Sequence, residues 1–490
     1  MTASHCRARR QRSLFFCMLN CVGIIASFAN TTNYVDNANT GYRDGPPYNS
    51  WPHAATNIQD ALNKSANGDL VLVTNGVYNF GGLTNWPAGC TLTNRVVISN
   101  AVTVQAVSTN PAVTIIQGAA DPASTSGPAA VRCVYMANNS VLIGFTLTNG
   151  YTRETTGGNW GLGATNGGGV YASSSSSVLS NCVIVACKAS YQGGGGYNGT
   201  YYNCMIDNNT SGLGGGGIYN NSLSVGSRIR NNFAGGNGGG VYGGILSNCL
   251  ISGNTASNTL STNGGGGESC TLAGCTVSNN YCSNSGGGTD TSSATDSLFI
   301  NNRCGNAGSA TISSTGSTRC RFINNYGGSF VTDKSVINCL FTGNDTTAIR
   351  DAAGSCMVNC TIVSNTLGIG GAIFASVSNC IIYGNISYDV KDLSVESNCY
   401  YSCIGSNSAG TNHVANRGNV YNASPQFVDT SAGNYHLSGN SPCIDTGTNI
   451  NWTSSDVDLD GQPRLRYGRV DMGCYELLHK ITIFTIQGRH

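Results

Sequence analysis

Charge is what this sequence has least of. Asp, Glu, Lys and Arg make up 10% of its 490 residues and balance to a formal net charge of +1. A broad electrostatic footprint for nucleic acid or an anionic membrane needs clustered Lys and Arg, so both partners are excluded. Long charged helices are excluded with them. Low charge does not mean disorder here, because 40% apolar residues can bury a sizeable core. Histidine is absent between His53 and His413, and no two aspartates are adjacent. The abundance lies in glycine, with 67 residues, and cysteine, with 22. These counts describe a β-rich, loop-rich, well-packed protein.

The first 29 residues look like a secretory signal. Arg7, Arg9, Arg10 and Arg12 precede an apolar run from Leu14 to Ala29 that ends Ser27-Phe28-Ala29. A membrane anchor is the alternative, but the run is short against a bilayer span of about 20 residues and is broken by Asn20. Cys21 follows Met18-Leu19-Asn20, a poor lipoprotein box. Cleavage after Ala29 removes Cys6, Cys17 and Cys21 and leaves 19 of the 22 cysteines in an oxidising compartment. The expected location is outside the cell or on the outer surface of a bacterium, with no transmembrane span after cleavage. An odd, large cysteine count normally signals a disulfide framework with one thiol over. Here the spacing points elsewhere.

One cysteine column runs Cys182, Cys204, Ser227, Cys249, Cys275, Ser297, Cys320, Cys339, Cys360, Cys380, Cys399, at a mean step of about 22 residues. Two places after it stands an apolar residue: Ile184, Ile206, Ile229, Ile251, Val277, Phe299, Phe322, Phe341, Ile362, Ile382. Alternation of this kind marks a strand with one face inward. Five places after the column comes a file of asparagines: Asn209, Asn232, Asn254, Asn280, Asn302, Asn325, Asn344, Asn365 and Asn385. A period of this size with one short strand per unit is a solenoid signature. Gly-Gly runs and Asn-Asn pairs exclude helical repeats, and the leucine spacing of leucine-rich repeats is missing. What remains is a parallel β-helix whose coils stack at about 4.8 Å. Asparagines superposed in this way pass amide hydrogen bonds along the axis. The cysteines fit as small, buried, apolar side chains. Equivalent Cβ atoms about 4.8 Å apart lie slightly beyond disulfide separation, so the column is expected as packed thiols. Cys282 and Cys304, at one position in adjacent coils, are better disulfide candidates.

Glycines fill the rest of each coil, at Gly167 to Gly169, Gly193 to Gly196, Gly214 to Gly217, Gly238 to Gly240, Gly264 to Gly267 and Gly286 to Gly288. They permit tight corners and close approach. No βαβ unit accompanies them, so they are not phosphate loops.

Phe299-Ile-Asn-Asn302, Phe322-Ile-Asn-Asn325, Phe341-Thr-Gly-Asn344 and Gly370-Gly-Ala-Ile373 resemble the FxxN and GGA[IL] repeats of polymorphic outer-membrane proteins. The resemblance spans roughly residues 140 to 400 and implies a surface-displayed β-helical adhesin. It departs at the C-terminus, where 14 residues after Glu476 replace the family's membrane barrel. Near the other end, Ile58, Ala61 and Leu62 have helical spacing, Gly68-Asp69 turns, and Leu70 to Val73 reads as a strand. This segment resembles the helical N-terminal cap of secreted pectate-lyase-like β-helix proteins, which covers an otherwise open core. Val141 to Gly150 resembles their early coils. Ser424 to Glu476, with SPQFVDTSAGNYHLSGNSPCIDTG and DLDGQPRLRYGRVDMGCYE, resembles the choice-of-anchor module of secreted β-helix proteins. That module carries small residues where Cys443 and Cys474 stand, so the resemblance implies a bridge between these two. Leu477 to His490 carries no recognisable sorting signal.

The segments expected are therefore 1–29 signal, 30–140 cap and first coils, 141–403 β-helix repeats, 404–476 terminal module and 477–490 tail. The fold class expected is all-β: a right-handed parallel β-helix with an N-terminal helical cap and a small β-rich C-terminal module.

Chemistry is harder to place. Polygalacturonase-like catalysis needs paired aspartates and a nearby His-Gly, and both are missing from the body of the chain. Pectate lyases need an acidic Ca²⁺ cluster and a basic proton acceptor. The acids Asp207, Glu268, Asp290, Asp296, Asp333 and Asp351 are scattered, and Arg228, Arg230, Arg303, Arg319 and Arg321 could form a basic outer stripe near three of them. Neighbouring coils can join such groups, so Glu268, Asp290, Asp296, Arg303 and Arg321 stand as catalytic candidates against a reading as solvated surface charge. Tyr171, Tyr219 and Tyr242 each follow an apolar residue after the glycines, with Tyr197 and Phe330 in register. Alternation puts Val170, Ile218 and Val241 inside and the tyrosines outside, either to stack on sugars, to contact a protein, or simply as good strand residues. Asp456, Asp458 and Asp460 before Gly461 suit calcium, with Asp471 or Glu476 completing a shell, or else a polar turn. Tyr467 stands where an EF-hand needs glutamate. Calcium is the only cofactor suggested.

The leading reading is an adhesive or structural rod that binds an extracellular glycan or surface protein along its faces. A carbohydrate-active lyase or hydrolase is the competing one.

Overall fold

The computed structural model describes residues 30–39, 47–154, 163–258, 262–313, 316–327, 330–332, 335–345, 347–351, 356–369, 376–391, 396–406, 413–449, 452–465 and 468–477. The signal-like segment, Gly370 to Ile373, Asp333, Tyr467 and the tail from 478 lie outside them, as do the side chains of Phe330 and Asp351. No described helix is long and apolar enough to cross a membrane. The fold divides into a first unit that ends at Thr315 and includes Asn324–Val331, and a second that holds Gly316–Ile323 and the chain from Thr332.

The first unit opens with the expected helix, Ile58–Leu62, which buries Ile58, Ala61 and Leu62. Its N-cap Asn57 accepts the Asp60 amide, satisfying a donor that the helix leaves unpaired. Thr32–Val35, ahead of the helix in the chain, and Leu70–Val73, after it, are parallel partners. From there each coil repeats one plan. In one coil Thr200–Tyr202 belongs to a first sheet, Met205–Asp207 to a second and Thr210–Ser211 to a third. All three pair in parallel with the next coil, as in Met205↔Arg228, Ile206↔Ile229 and Asp207↔Arg230. The inward residues of the second sheet, from Ile184 through Phe299, are the apolar file read from the sequence, and all are buried.

Two-residue corners separate the sheets. Their first residue is left-handed: Asn203 at φ 51° and Asn208 at φ 54°. Asn tolerates that region better than most residues, and Gly226 and Gly253 replace it in other coils. The second corner residue points inward and does the bonding. Asn232 donates its backbone N–H and its side-chain amide to Asn254 Oδ1, both at 3.0 Å, and Asn254 repeats this on Asn280. Each Nδ2 also reaches a carbonyl, as Asn254 does on Ile229. The ladder is thus both amide-to-amide and amide-to-backbone.

The column from Cys182 to Cys380 is buried and unbridged, as expected, and obeys the same hydrogen-bonding rule. Each thiol donates to the carbonyl two residues before it, Cys204 to Tyr202 and Cys249 to Ser247, both at 3.4 Å. Ser227 and Ser297 make the same bond and also accept the backbone N–H of Cys204 and Cys275. Serine and cysteine interchange there because both are small donors that also accept. The third sheet has its own inward file of Ala189, Ser211, Ala234, Ala256, Cys282 and Cys304. No disulfide joins Cys282 to Cys304 although they are register partners. Cys282 instead donates to the Thr262 carbonyl at 2.9 Å, and both sulfurs occupy positions sized for a methyl group. Glycine triplets close each coil: a Cβ on Gly216 would lie 2.3 Å from the Gly239 carbonyl oxygen, so only glycine fits.

The second unit repeats this plan. Asn344, Asn365 and Asn385 form its ladder, which ends on Asp389 Oδ1. Its thiol column runs Cys320, Cys339, Cys360 and Cys380 and ends on Ser402, whose Oγ accepts the Cys380 N–H at 3.0 Å. Cys399 was expected in that place. It lies instead in the first sheet, paired with Val377.

Residues from Phe427 add an antiparallel hairpin, Phe427–Asp429 with Asn434–Leu437, and a chain of turns. These lie on the outward face of the second sheet of their own unit. Leu340 and Val363 pack with Tyr435, Leu459, Cys474 and Tyr475, while Ile381 and Cys403 pack with Leu437, Cys443 and Met472. Cys443 and Cys474 therefore belong to different clusters and are not bridged. The Cys474 N–H is held by Thr361 Oγ1 at 3.0 Å. Polar docking runs through corner asparagines that are 0–1% exposed: Asn338 with Arg464, Asn359 with Asp471 and Gly473, Asn379 with Thr448.

Candidate functional site

One outward row of the first sheet, within the first unit, concentrates the unusual side chains. Register places Tyr135, Tyr171, Tyr197, Tyr219, Tyr242, Glu268 and Asp290 on successive coils. Their strand neighbours Val170, Ile218 and Val241 are fully buried, as alternation required. The five tyrosines form one stack, with centroids 5.9, 5.0, 5.7 and 4.6 Å apart and rings within 13° of parallel. Trp86 extends it beyond Tyr135 at 5.5 Å.

Stacking changes what the row can offer. The ring faces expected to carry sugars are turned towards neighbouring tyrosines. Tyr171, Tyr197, Tyr219 and Tyr242 are half-buried, so edges and phenol oxygens are what remain outside. Beneath them lies Arg132, fully buried, 5.0 Å from the Tyr171 ring centroid. It donates to Asn94 Oδ1 at 2.7 Å and to the carbonyls of Gly167, Asn166 and Gly163. Burial lowers its guanidinium to about 10, which leaves it a cation at neutral pH. Its charge thus pins the glycine turn on which the tyrosines stand.

The row ends in an acid pair. Glu268 is 7% and Asp290 6% exposed. Thr291 Oγ lies 3.0 Å from Glu268 Oε1 and 3.3 Å from Asp290 Oδ1. A hydroxyl has one proton and can serve only one of them at a time. Glu268 Oε2 is buried without a hydrogen-bond partner among the described residues. Burial, and then the Asp290 charge, push the Glu268 carboxyl up to about 7. Burial raises Asp290 as well. Because the folded value lies above the ordinary 4.5, this group favours folding fully below pH about 4.5 and loses that contribution as pH rises through about 7. Glu268→Gln is therefore expected to match the parent in acid and to exceed it by about 3 kcal/mol at pH about 8. Urea unfolding across that range checks it, and parallel curves for the two proteins refute it.

The other catalytic candidates do not join them. Asp296 is exposed at a left-handed corner, φ 52°, and Arg303 is outward on the third sheet. Arg321 belongs to the second unit and pairs with Asp460 at 2.8 Å. Arg230 is held by Asp207 at 3.1 Å on the second sheet. The basic stripe is therefore spread over different faces.

Calcium at Asp456, Asp458 and Asp460 is also corrected. Asp456 Oδ2 accepts the Thr453 N–H and hydroxyl, both at 2.7 Å. Asp458 accepts the Asp460, Gln462 and Glu476 amides, and Asp460 faces Arg321 and His436. Each carboxylate braces a different piece of chain, and among the described residues no three His, Cys, Asp or Glu side chains converge as metal ligands.

Tyr135 and the shared register of Glu268 and Asp290 with the tyrosines escaped the sequence reading. A signal was present: each row member from Tyr171 onward stands four places after a left-handed glycine, Gly167, Gly193, Gly215, Gly238, Gly264 or Gly286.

No family model matches this chain, and no curated protein matches it. Among solved structures it is similar to pectate lyase Pel9A, at 14% identity and a TM-score of 0.33, covering 91% of this chain and 96% of that one. It is similar to the catalytic unit of a thermostable GH87 α-1,3-glucanase from Streptomyces thermodiastaticus, at 13% identity and 0.37, covering 74% and 68%. Similarity to the PL6 family alginate lyase AlyGC stands at 11% and 0.37, covering 78% of this chain and 54% of that one. The parallel β-helix itself is established by the chain's own strand register.

Proposed function

We propose that this chain acts outside the cell as an adhesive or structural β-helix protein, binding an extended glycan along the first-sheet row. One observation supports it above the rest: four half-buried phenol edges in register, Tyr171, Tyr197, Tyr219 and Tyr242, one per coil, leading to a buried acid pair with an oxygen that has no partner among the described residues. Ring spacings of 4.6 to 5.9 Å are comparable with the advance per sugar in an extended glycan. Phenol hydroxyls both donate and accept, which suits sugar hydroxyls. A second reading, a glycan-cleaving enzyme, draws on the acid pair. A carboxyl pushed up to about 7 beside a second carboxyl is a pairing of the kind that acid–base hydrolysis uses.

Tyr197→Phe with Tyr219→Phe removes two hydroxyls and keeps the stack. Binding of purified full-length protein to a glycan panel should weaken roughly tenfold in the double variant. Unchanged binding removes the row from the site. New glycan chain ends that vanish in Glu268→Gln would replace the binding reading with the enzymatic one.

A further inference from the structure

The third sheet of the first unit carries a second aromatic row with the opposite geometry. Register runs Phe233↔Thr255, Thr255↔Tyr281, Tyr281↔Arg303 and Arg303↔Tyr326 along its outward face. Phe233, Tyr281 and Tyr326 are 40%, 37% and 43% exposed. Aromatics occupy every second coil, so none has an aromatic register neighbour to close its face. With coils about 4.8 Å apart, successive rings stand roughly 10 Å apart. That is close to the length of an extended disaccharide.

The charge of the row is one-sided. Arg303 is exposed between two aromatic positions, and Lys188 lies further along the same file. The row's outward positions include no carboxylate, and Asp207 on the neighbouring sheet is already paired with Arg230. Beside the row, the left-handed corner at Asn279 is exposed, while the Asn231 amide is held by Asp207 Oδ1 at 3.0 Å.

We propose that this face is a separate binding site for an extended acidic glycan with a disaccharide repeat. Alternate sugars lie on Phe233, Tyr281 and Tyr326, and a carboxylate of an intervening sugar meets Arg303. Stacking suits the apolar C–H face of a pyranose, and a guanidinium suits a carboxylate. The site does not depend on the tyrosine stack of the first sheet.

Hyaluronan oligosaccharides, which alternate an acidic and a neutral sugar, are the probe, with cello-oligosaccharides as the uncharged control. Binding to the full chain is followed by calorimetry. Phe233→Ala with Tyr281→Ala should weaken hyaluronan binding roughly tenfold or more. Arg303→Gln should weaken hyaluronan binding while leaving cello-oligosaccharide binding as it was, and Tyr281→Phe should retain both. All three positions are exposed, and an unchanged melting temperature confirms that the fold survives. Tyr197→Phe with Tyr219→Phe should leave hyaluronan binding intact. Loss in that variant alone, equal binding by the Phe233/Tyr281 variant, or no hyaluronan binding by the parent overturns the site. The last result leaves the first-sheet reading standing if other glycans still bind.

Discussion

Asn254→Ala is expected to cost about 4 kcal/mol, more than most substitutions of a polar residue. The residue is fully buried. Its Oδ1 holds two donors of Asn232, and its Nδ2 serves the Ile229 carbonyl and Asn280 Oδ1. Alanine leaves two donors of Asn232 buried without their acceptor, each at about 1–3 kcal/mol, and takes a second bond from the Ile229 carbonyl. The control is a corner residue of the adjacent coil, Asn231→Gly, which keeps the left-handed corner at φ 54° and removes an exposed amide whose one side-chain bond, to Asp207 Oδ1 at 3.0 Å, lies at the surface. That variant should change stability by less than about 1 kcal/mol. Urea unfolding compares the two, and hydrogen exchange should accelerate at the Asn232 amide in the alanine variant alone. Equal effects would mean that the corner, and not the ladder, carries the stability.

Arg464→Met has the largest expected effect on the C-terminal segment. The guanidinium is 0% exposed and reaches Asn338 Oδ1 at 2.6 and 3.0 Å, the Gly473 carbonyl at 2.9 Å and Glu476 Oε1 at 2.6 Å. Its loss strands a buried carboxylate, which typically costs about 3–5 kcal/mol. Residues after Tyr421 should become sensitive to limited proteolysis while the coils of the same unit resist. Adding Glu476→Gln removes the stranded charge and should recover a good part of the loss, since apolar or neutral replacements of a whole buried pair are well tolerated. A double variant as labile as the single one would show that Glu476 is not what the arginine serves.

Much of this architecture was legible because a solenoid repeats its constraints. Ile206 and Asn209 each recur often enough for the period to reveal strand, corner and ladder before any coordinates. Errors arose where one position can be filled by chemically equivalent residues. Ser402 continues the thiol column, yet the nearby Cys399 attracts the eye because it is a cysteine. Ser227 and Ser297 had already shown that the position needs a hydroxyl or a thiol. Disulfides at Cys282 and Cys304, or at Cys443 and Cys474, could not be judged from spacing. Inward packing decides them, and it is set by residues far away in the chain. The acid pair was visible as two scattered carboxylates, and only counting from the left-handed glycines brings Glu268 and Asp290 into line with Tyr242. Calcium failed because alternating aspartates look alike whether they face a metal or, as here, brace separate turns and side chains.

In the second unit each rung hands its hydrogen-bond demand to the following one, and Asp389 finally absorbs it with a carboxylate oxygen. Along the ladder of the first unit, excising or duplicating one whole period leaves each ladder amide facing a receiver of the same kind. The hydrogen bonding of the ladder therefore does not by itself fix the number of turns.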